Sequence, residues 1–102
     1  MKRDEYVYPA VFEKDASGHY GVFFPDLPGC IAVGHNLQDA HKLAKEALGS
    51  HLFSMSEDND EIPEASAVDA IQQENPGEII GLVEVSLLAV QAKLDTRSVK
   101  KT

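Results

Sequence analysis

From Tyr6 to Glu13 large apolar side chains recur at every second position, so Tyr6, Tyr8, Ala10 and Phe12 line one side of an extended segment. Val7, Pro9, Val11 and Glu13 take the other side. The pattern predicts a strand, with Pro9 favouring an edge position or an interruption in one ladder. Lys14–Gly18, KDASG, has the length and composition of a hairpin turn. A second strand is predicted over His19–Phe24, with Tyr20, Val22 and Phe24 on one face. Gly21 lies on the opposite face, where a bulge or close packing is expected. Phe23–Gly34 then reads FFPDLPGCIAVG. Pro25 and Pro28 cannot donate to a ladder, so a rigid turn separates the aromatic pair from a short third strand, Cys30–Val33. Leu27 is apolar inside that turn, which predicts an anchor buried in the core. Asp26 is expected to accept hydrogen bonds from nearby backbone N–H groups.

At Asn36 the period lengthens. Asn36 is a natural N-cap, and Asp39 three residues later gives a capping-box-like arrangement that also suits the helix dipole. Leu37, Ala40, Ala44, Ala47, Leu48, His51, Leu52 and Met55 fall on one stripe, predicting a helix to about Ser56. Lys42, Lys45 and Glu46 take its solvent side. Gly49 costs up to about 1 kcal/mol in a helix interior relative to alanine, which points to close packing there. Glu57–Glu64 is an acidic loop closed by Pro63, and Ala65–Gln73 suits a short helix ended by Asn75, Pro76 and Gly77. Glu78–Val90 contains the run IIGLVEVSLLAV, rich in β-branched residues, and predicts a fourth strand. Gln91–Thr102 is polar and basic without an apolar stripe, as in an exposed tail.

These elements give an α+β fold ordered β-β-β-α-(α)-β. It is a three-stranded antiparallel meander plus a fourth strand, with the main helix packed on one face. Residues 1–92 form one domain and 93–102 the tail. At 102 residues the chain supports one modest core.

Composition narrows the function classes. With 43% hydrophobic and 25% charged residues the chain is an ordinary globular protein and not a disordered one. No apolar run approaches 18 residues, so no membrane span is expected, and the N-terminus lacks the apolar stretch of a signal peptide. Cys30 is the single cysteine, which suits a reducing, cytoplasmic setting. The net charge of −8 disfavours a nucleic-acid grip by the chain itself. Its distribution is more informative. Ten acids and no Lys or Arg lie between Glu46 and Ala92, a solvated surface or one complementary to a basic partner.

Reactive chemistry finds little support. Cys30 suits a small buried hydrophobe, and His19, His35, His41 and His51 lack zinc-ligand spacing. His51 falls on the apolar stripe and suits a half-buried structural role. A two-metal nuclease needs several carboxylates gathered together, whereas Tyr8–Phe12 is uncharged and only Glu46 and Glu84 remain on the main helix and last strand. No catalytic residue, cofactor or metal site is expected.

One combination of segments is specific. Tyr8–Pro9–Ala10–Val11–Phe12, then Gly21–Val22–Phe23–Phe24–Pro25–Asp26–Leu27–Pro28–Gly29–Cys30, then Gly34 and the helical Ala44–Lys45–Glu46–Ala47–Leu48 resemble the HicB antitoxin family. Ile62–Pro63–Glu64–Ala65–Ser66 resembles that family's segment after the helix, so the resemblance covers about residues 6 to 90. It implies a reduced ribonuclease-H-like fold, with the Ile79 strand beside and parallel to the Tyr6 strand. It further implies the antitoxin of a type II toxin-antitoxin pair that covers the active site of a small basic HicA-like toxin, an mRNA-cleaving protein with its own histidine. The acids on and after the main helix, Glu46, Glu57, Asp58, Asp60 and Glu61, are the expected toxin contacts. Family members form dimers or tetramers, so a homodimer is expected as the minimum. They usually carry a C-terminal DNA-binding segment, but here only DTRSVKKT follows Leu94. DNA binding is therefore implied only with a longer C-terminal segment, which residues 93–102 would begin. The alternative is a sensor or oligomerisation domain of a repressor whose DNA reader lies outside this chain.

Overall fold

The computed structural model describes residues 4–99, with side chains through Leu94. Strands β1 (Glu5–Lys14), β2 (Tyr20–Phe23) and β3 (Ile31–Gly34) form the expected antiparallel meander. Helix α1 (Leu37–Glu57) follows, then a short α2 (Val68–Glu74), strand β4 (Ile79–Ser86) and helix α3 (Leu87–Val99). The sheet order is β3-β2-β1-β4.

Period-two alternation in β1 sends Tyr6, Tyr8, Ala10 and Phe12 towards α1, where they pack with Val22, Phe24, Val83 and Val85. The helix answers with Ala40, Ala44, Leu48 and Leu52, all fully buried, and the two alanines let it lie close to the sheet. Leu37, expected on this stripe, is exposed in the first turn. Pro9 lies in central β1, yet β2 pairs only from Val11 onward, so the proline meets one ladder and not two. On the reverse face Pro9, Val11 and Ile71 of α2 are buried outside the α1-side cluster. A Cβ on Gly21 would meet open space, so that glycine marks no close packing.

The fourth strand lies beside β1, as expected, but runs antiparallel to it, with Phe12 opposite Ile79 and Glu5 opposite Ser86. A parallel pairing would need a single pass across the sheet between β3 and β4. At 1.5 Å per residue, the 21 residues of α1 span about 31 Å, from the Phe12 end of β1 to the Pro25–Gly29 corner at the other end of the sheet. Residues 58–78 then make a second pass in reverse, so β4 starts where α1 started. Two passes restore the antiparallel direction.

The C-terminal expectations also change. Strand β4 stops at Ser86, and residues 87–99, assigned partly to the strand and partly to a tail, are helical. Lys100–Thr102 lie outside the described residues. The switch is a cap built by Asp4. Its carboxylate accepts the Ser86 hydroxyl at 2.9 Å and the Leu88 N–H at 2.7 Å, while its carbonyl accepts the Leu87 N–H at 2.9 Å. The Ser86 oxygen accepts the Ala89 N–H at 3.2 Å. Orphan amides of the first turn are thereby satisfied. Gly49 of α1 explains the seat of α3, because a Cβ there would lie 2.8 Å from a methyl of Val90. Asp4→Ala should cost about 0.5–2 kcal/mol, read by urea denaturation, together with a loss of helical circular dichroism. Among the described residues no helix is long and apolar enough to cross a membrane.

Candidate functional site

The corner after β2 is tied from inside and outside. Leu27 is almost fully buried in the α1-side core, as its place in the turn predicts. The turn closes through Leu27 N–H to the Phe24 carbonyl at 2.9 Å and Cys30 N–H to the Leu27 carbonyl at 3.0 Å. Asp26 was expected to bond its own turn. Instead it reaches 40 residues along the chain, accepting the Ser66 N–H at 2.9 Å and the Ser66 hydroxyl at 2.5 Å. Ile62 packs on the same core, and the Tyr8 hydroxyl donates to the Pro63 carbonyl. Tyr8, Asp26, Ile62, Pro63 and Ser66 thus fasten the segment after α1 onto the corner.

Between that corner and the end of α1 lies an open cleft of about 580 Å³. Leu27, Pro28, Met55 and Pro63 supply apolar lining, while Asp26, Asp60 and Glu61 supply acid and the half-buried His51 stands among them. Asn59, in the left-handed region at φ 58°, ends the helix, and the Asp60 N–H returns to the Met55 carbonyl at 2.8 Å. This turn aims the acidic segment over the cleft. Glu57 and Asp58 are exposed beside it, and the last turn of α1 holds no basic residue. Glu57 and Asp58 therefore sit unfavourably at the negative end of the helix dipole, and Asp60 and Glu61 add like charge just beyond it. A cationic partner would offset that cost.

Of the five expected contact residues, Asp60 and Glu61 line the cleft and Glu57 and Asp58 flank it. Glu46 stands apart. It lies 11 positions before Glu57, about 16 Å along the helix, in a second cleft with Lys42, Lys45 and Lys93 against α3. Its neighbourhood is basic. Glu84 points from the reverse face of the sheet, opposite Val7, and so is separated from Glu46 by the sheet itself.

Cys30 is buried, and loss of solvent pushes its thiol from 9.0 up to about 11. Ellman's reagent is expected to leave it unmodified in the native protein at pH 8 and to titrate one thiol in denaturant. The sign for stability follows: an unfolded chain releases this proton near pH 9 and the folded one near 11, so stability falls as pH rises through that window. His41 stacks on Phe12 with centroids 6.1 Å apart, at the far end of the sheet from the cleft.

Comparison with known proteins gives this geometry its context. The family model described as HicB-like antitoxin of bacterial toxin-antitoxin system matches residues 8–100. The chain belongs to the HicB-like antitoxin family. It is 33% identical over 91 residues to Antitoxin HicB 2 of Photorhabdus laumondii, covering 89% of this chain and 62% of that antitoxin. The crystal structure of the N-terminal domain of Burkholderia pseudomallei antitoxin HicB superposes with a TM-score of 0.72 at 30% identity, covering 80% of this chain and all of that one. A chain of the HicA3 and HicB3 toxin-antitoxin complex superposes at 0.60 with 26% identity, over 76% of this chain and 95% of that chain. Tyr8, Asp26 and Ile62–Ser66, from three segments that carry the sequence resemblance, meet in one interlock in space, next to the acidic segment.

Proposed function

We propose that this HicB-like antitoxin neutralises a small basic, mRNA-cleaving HicA-like toxin by laying the acid-rimmed cleft over it. The observation that carries the site is the clustering of Glu57, Asp58, Asp60 and Glu61 at the negative end of α1, above an apolar-lined cleft. Local energetics disfavour such clustering, and natural chains break local rules of this kind chiefly at functional sites. The apolar lining supplies burial for an anchor residue, while the acids steer a cationic surface to it. Glu46 has a lesser role in this reading, since nearby lysines offset its charge.

Self-association belongs to the same reading. Ile31 and Val33 are each 65% exposed on edge strand β3 and face away from α1, as do Leu82 and Val7 on β4 and β1. A sheet face of this kind favours a second copy. Light scattering should show a dimer or larger at micromolar concentration, and a monomer would refute it. For the toxin, the test is co-elution with the short basic protein encoded by the neighbouring reading frame. A stable complex that weakens at high salt is expected; separate elution at low salt would overturn the proposal.

A further inference from the structure

At the end of the sheet remote from the acidic cleft, the β1–β2 turn and the β3–α1 loop bring two imidazoles together. His19 and His35 have ring centroids 5.3 Å apart with the planes tilted by 55°. Two imidazoles sharing one tetrahedral ion at about 2.05 Å per nitrogen would have centroids about 5.2 Å apart, taking about 1.15 Å from nitrogen to ring centre. The observed spacing matches that distance.

The tautomer fits too. Asp15 Oδ1 accepts the Ser17 hydroxyl at 2.7 Å, so the Ser17 hydrogen is committed to the carboxylate. The contact of 2.6 Å between Ser17 Oγ and His19 Nδ1 must then be donated by the ring. In the neutral ring Nε2 then carries the lone pair, the form a metal takes. Ligating histidines are commonly oriented by a donated bond from the other ring nitrogen, which is the part Ser17 and Asp15 play here. Both backbones are held: Asp15 Oδ1 also accepts the N–H groups of Ser17 and His19, and Asp39 accepts the His35 N–H at 2.9 Å.

We propose that His19 and His35 form a two-histidine site for a divalent imidazole-binding ion of the zinc and nickel class, with water completing the coordination. Occupied, the site staples the first hairpin to the start of α1. It shares no residue with the toxin-facing cleft, so it stands or falls independently of the proposed function.

Untagged protein is titrated with ZnCl₂ or NiCl₂ by calorimetry, and with ZnCl₂ while the histidine ring protons are followed by NMR. One ion per chain is expected, with the His19 and His35 signals moving together and those of His41 and His51 unmoved. His19→Ala and His35→Ala should each weaken binding tenfold or more, and Ser17→Ala about tenfold through loss of ring orientation. Binding of unchanged strength in either histidine variant, or no heat and no ring shifts in the wild type, would overturn the site. Both histidines lie at the surface, and circular dichroism confirms that each variant is folded before titration.

Discussion

Replacing Gly34 by alanine is expected to lower the unfolding free energy by about 1–3 kcal/mol or more, the range for forcing extra volume into a packed interior. A Cβ on Gly34 would lie 2.3 Å from the Ala40 nitrogen and 2.5 Å from its Cα. These are backbone atoms and cannot rotate away as a side-chain tip can. The start of α1 would have to move off β3, disturbing the Asn36 cap, whose carboxamide oxygen accepts the Asp39 N–H at 2.8 Å. A domain of this size has only about 5–15 kcal/mol in total and loses roughly 4–8 °C per kcal/mol, so the midpoint of a thermal melt should fall visibly. Gly21→Ala, facing open space, is the matched control and should cost far less.

The second large effect concerns binding. Asp60→Lys combined with Glu61→Lys should weaken association with the toxin about 10–100-fold, because two attractive contacts become repulsive and each 1.4 kcal/mol is a factor of ten. The free antitoxin should fold at least as well, since cations suit the C-terminal end of α1 better than anions do. Glu46→Lys, in the lysine-lined cleft, should leave affinity within a few-fold of wild type. Calorimetry against the same toxin separates the two sites, and equal losses at both would place the contact along the whole helix.

Much of this arrangement is legible in the amino-acid order because it is local. Alternation in β1, the Asn36 cap, the Ala40–Leu52 stripe and the buried Leu27 each follow from residues within a few positions of one another. The features that escape are decided over long separations. The direction of β4 depends on how residues 58–78, largely polar, travel back along the sheet. In IIGLVEVSLLAV no change in hydrophobicity marks the point where strand becomes helix; Asp4, 82 residues before Ser86, sets it. Asp26 looks like a turn-former because its partner, Ser66, is 40 residues away.

The capping-box expectation shows the same boundary at smaller scale. The Asn36 half forms as expected, whereas Asp39 turns to the N–H of His35 at 2.9 Å, one residue before the cap. For the site, sequence placed five acids on one surface by proximity along the chain. The helix separates them instead, leaving four around the Asp26 corner and Glu46 among lysines. A helix dipole argument applied to the end of α1 would have singled out Glu57 and Asp58, with Asp60 and Glu61 directly after them.

Neutralisation itself is measured by titrating the antitoxin into a fixed amount of the toxin encoded beside it while following RNA cleavage. Cleavage should stop near one antitoxin chain per toxin and persist when the Asp60→Lys, Glu61→Lys variant is used at the same ratio. Undiminished cleavage in the presence of excess wild-type chain would contradict the antitoxin function assigned to this cleft.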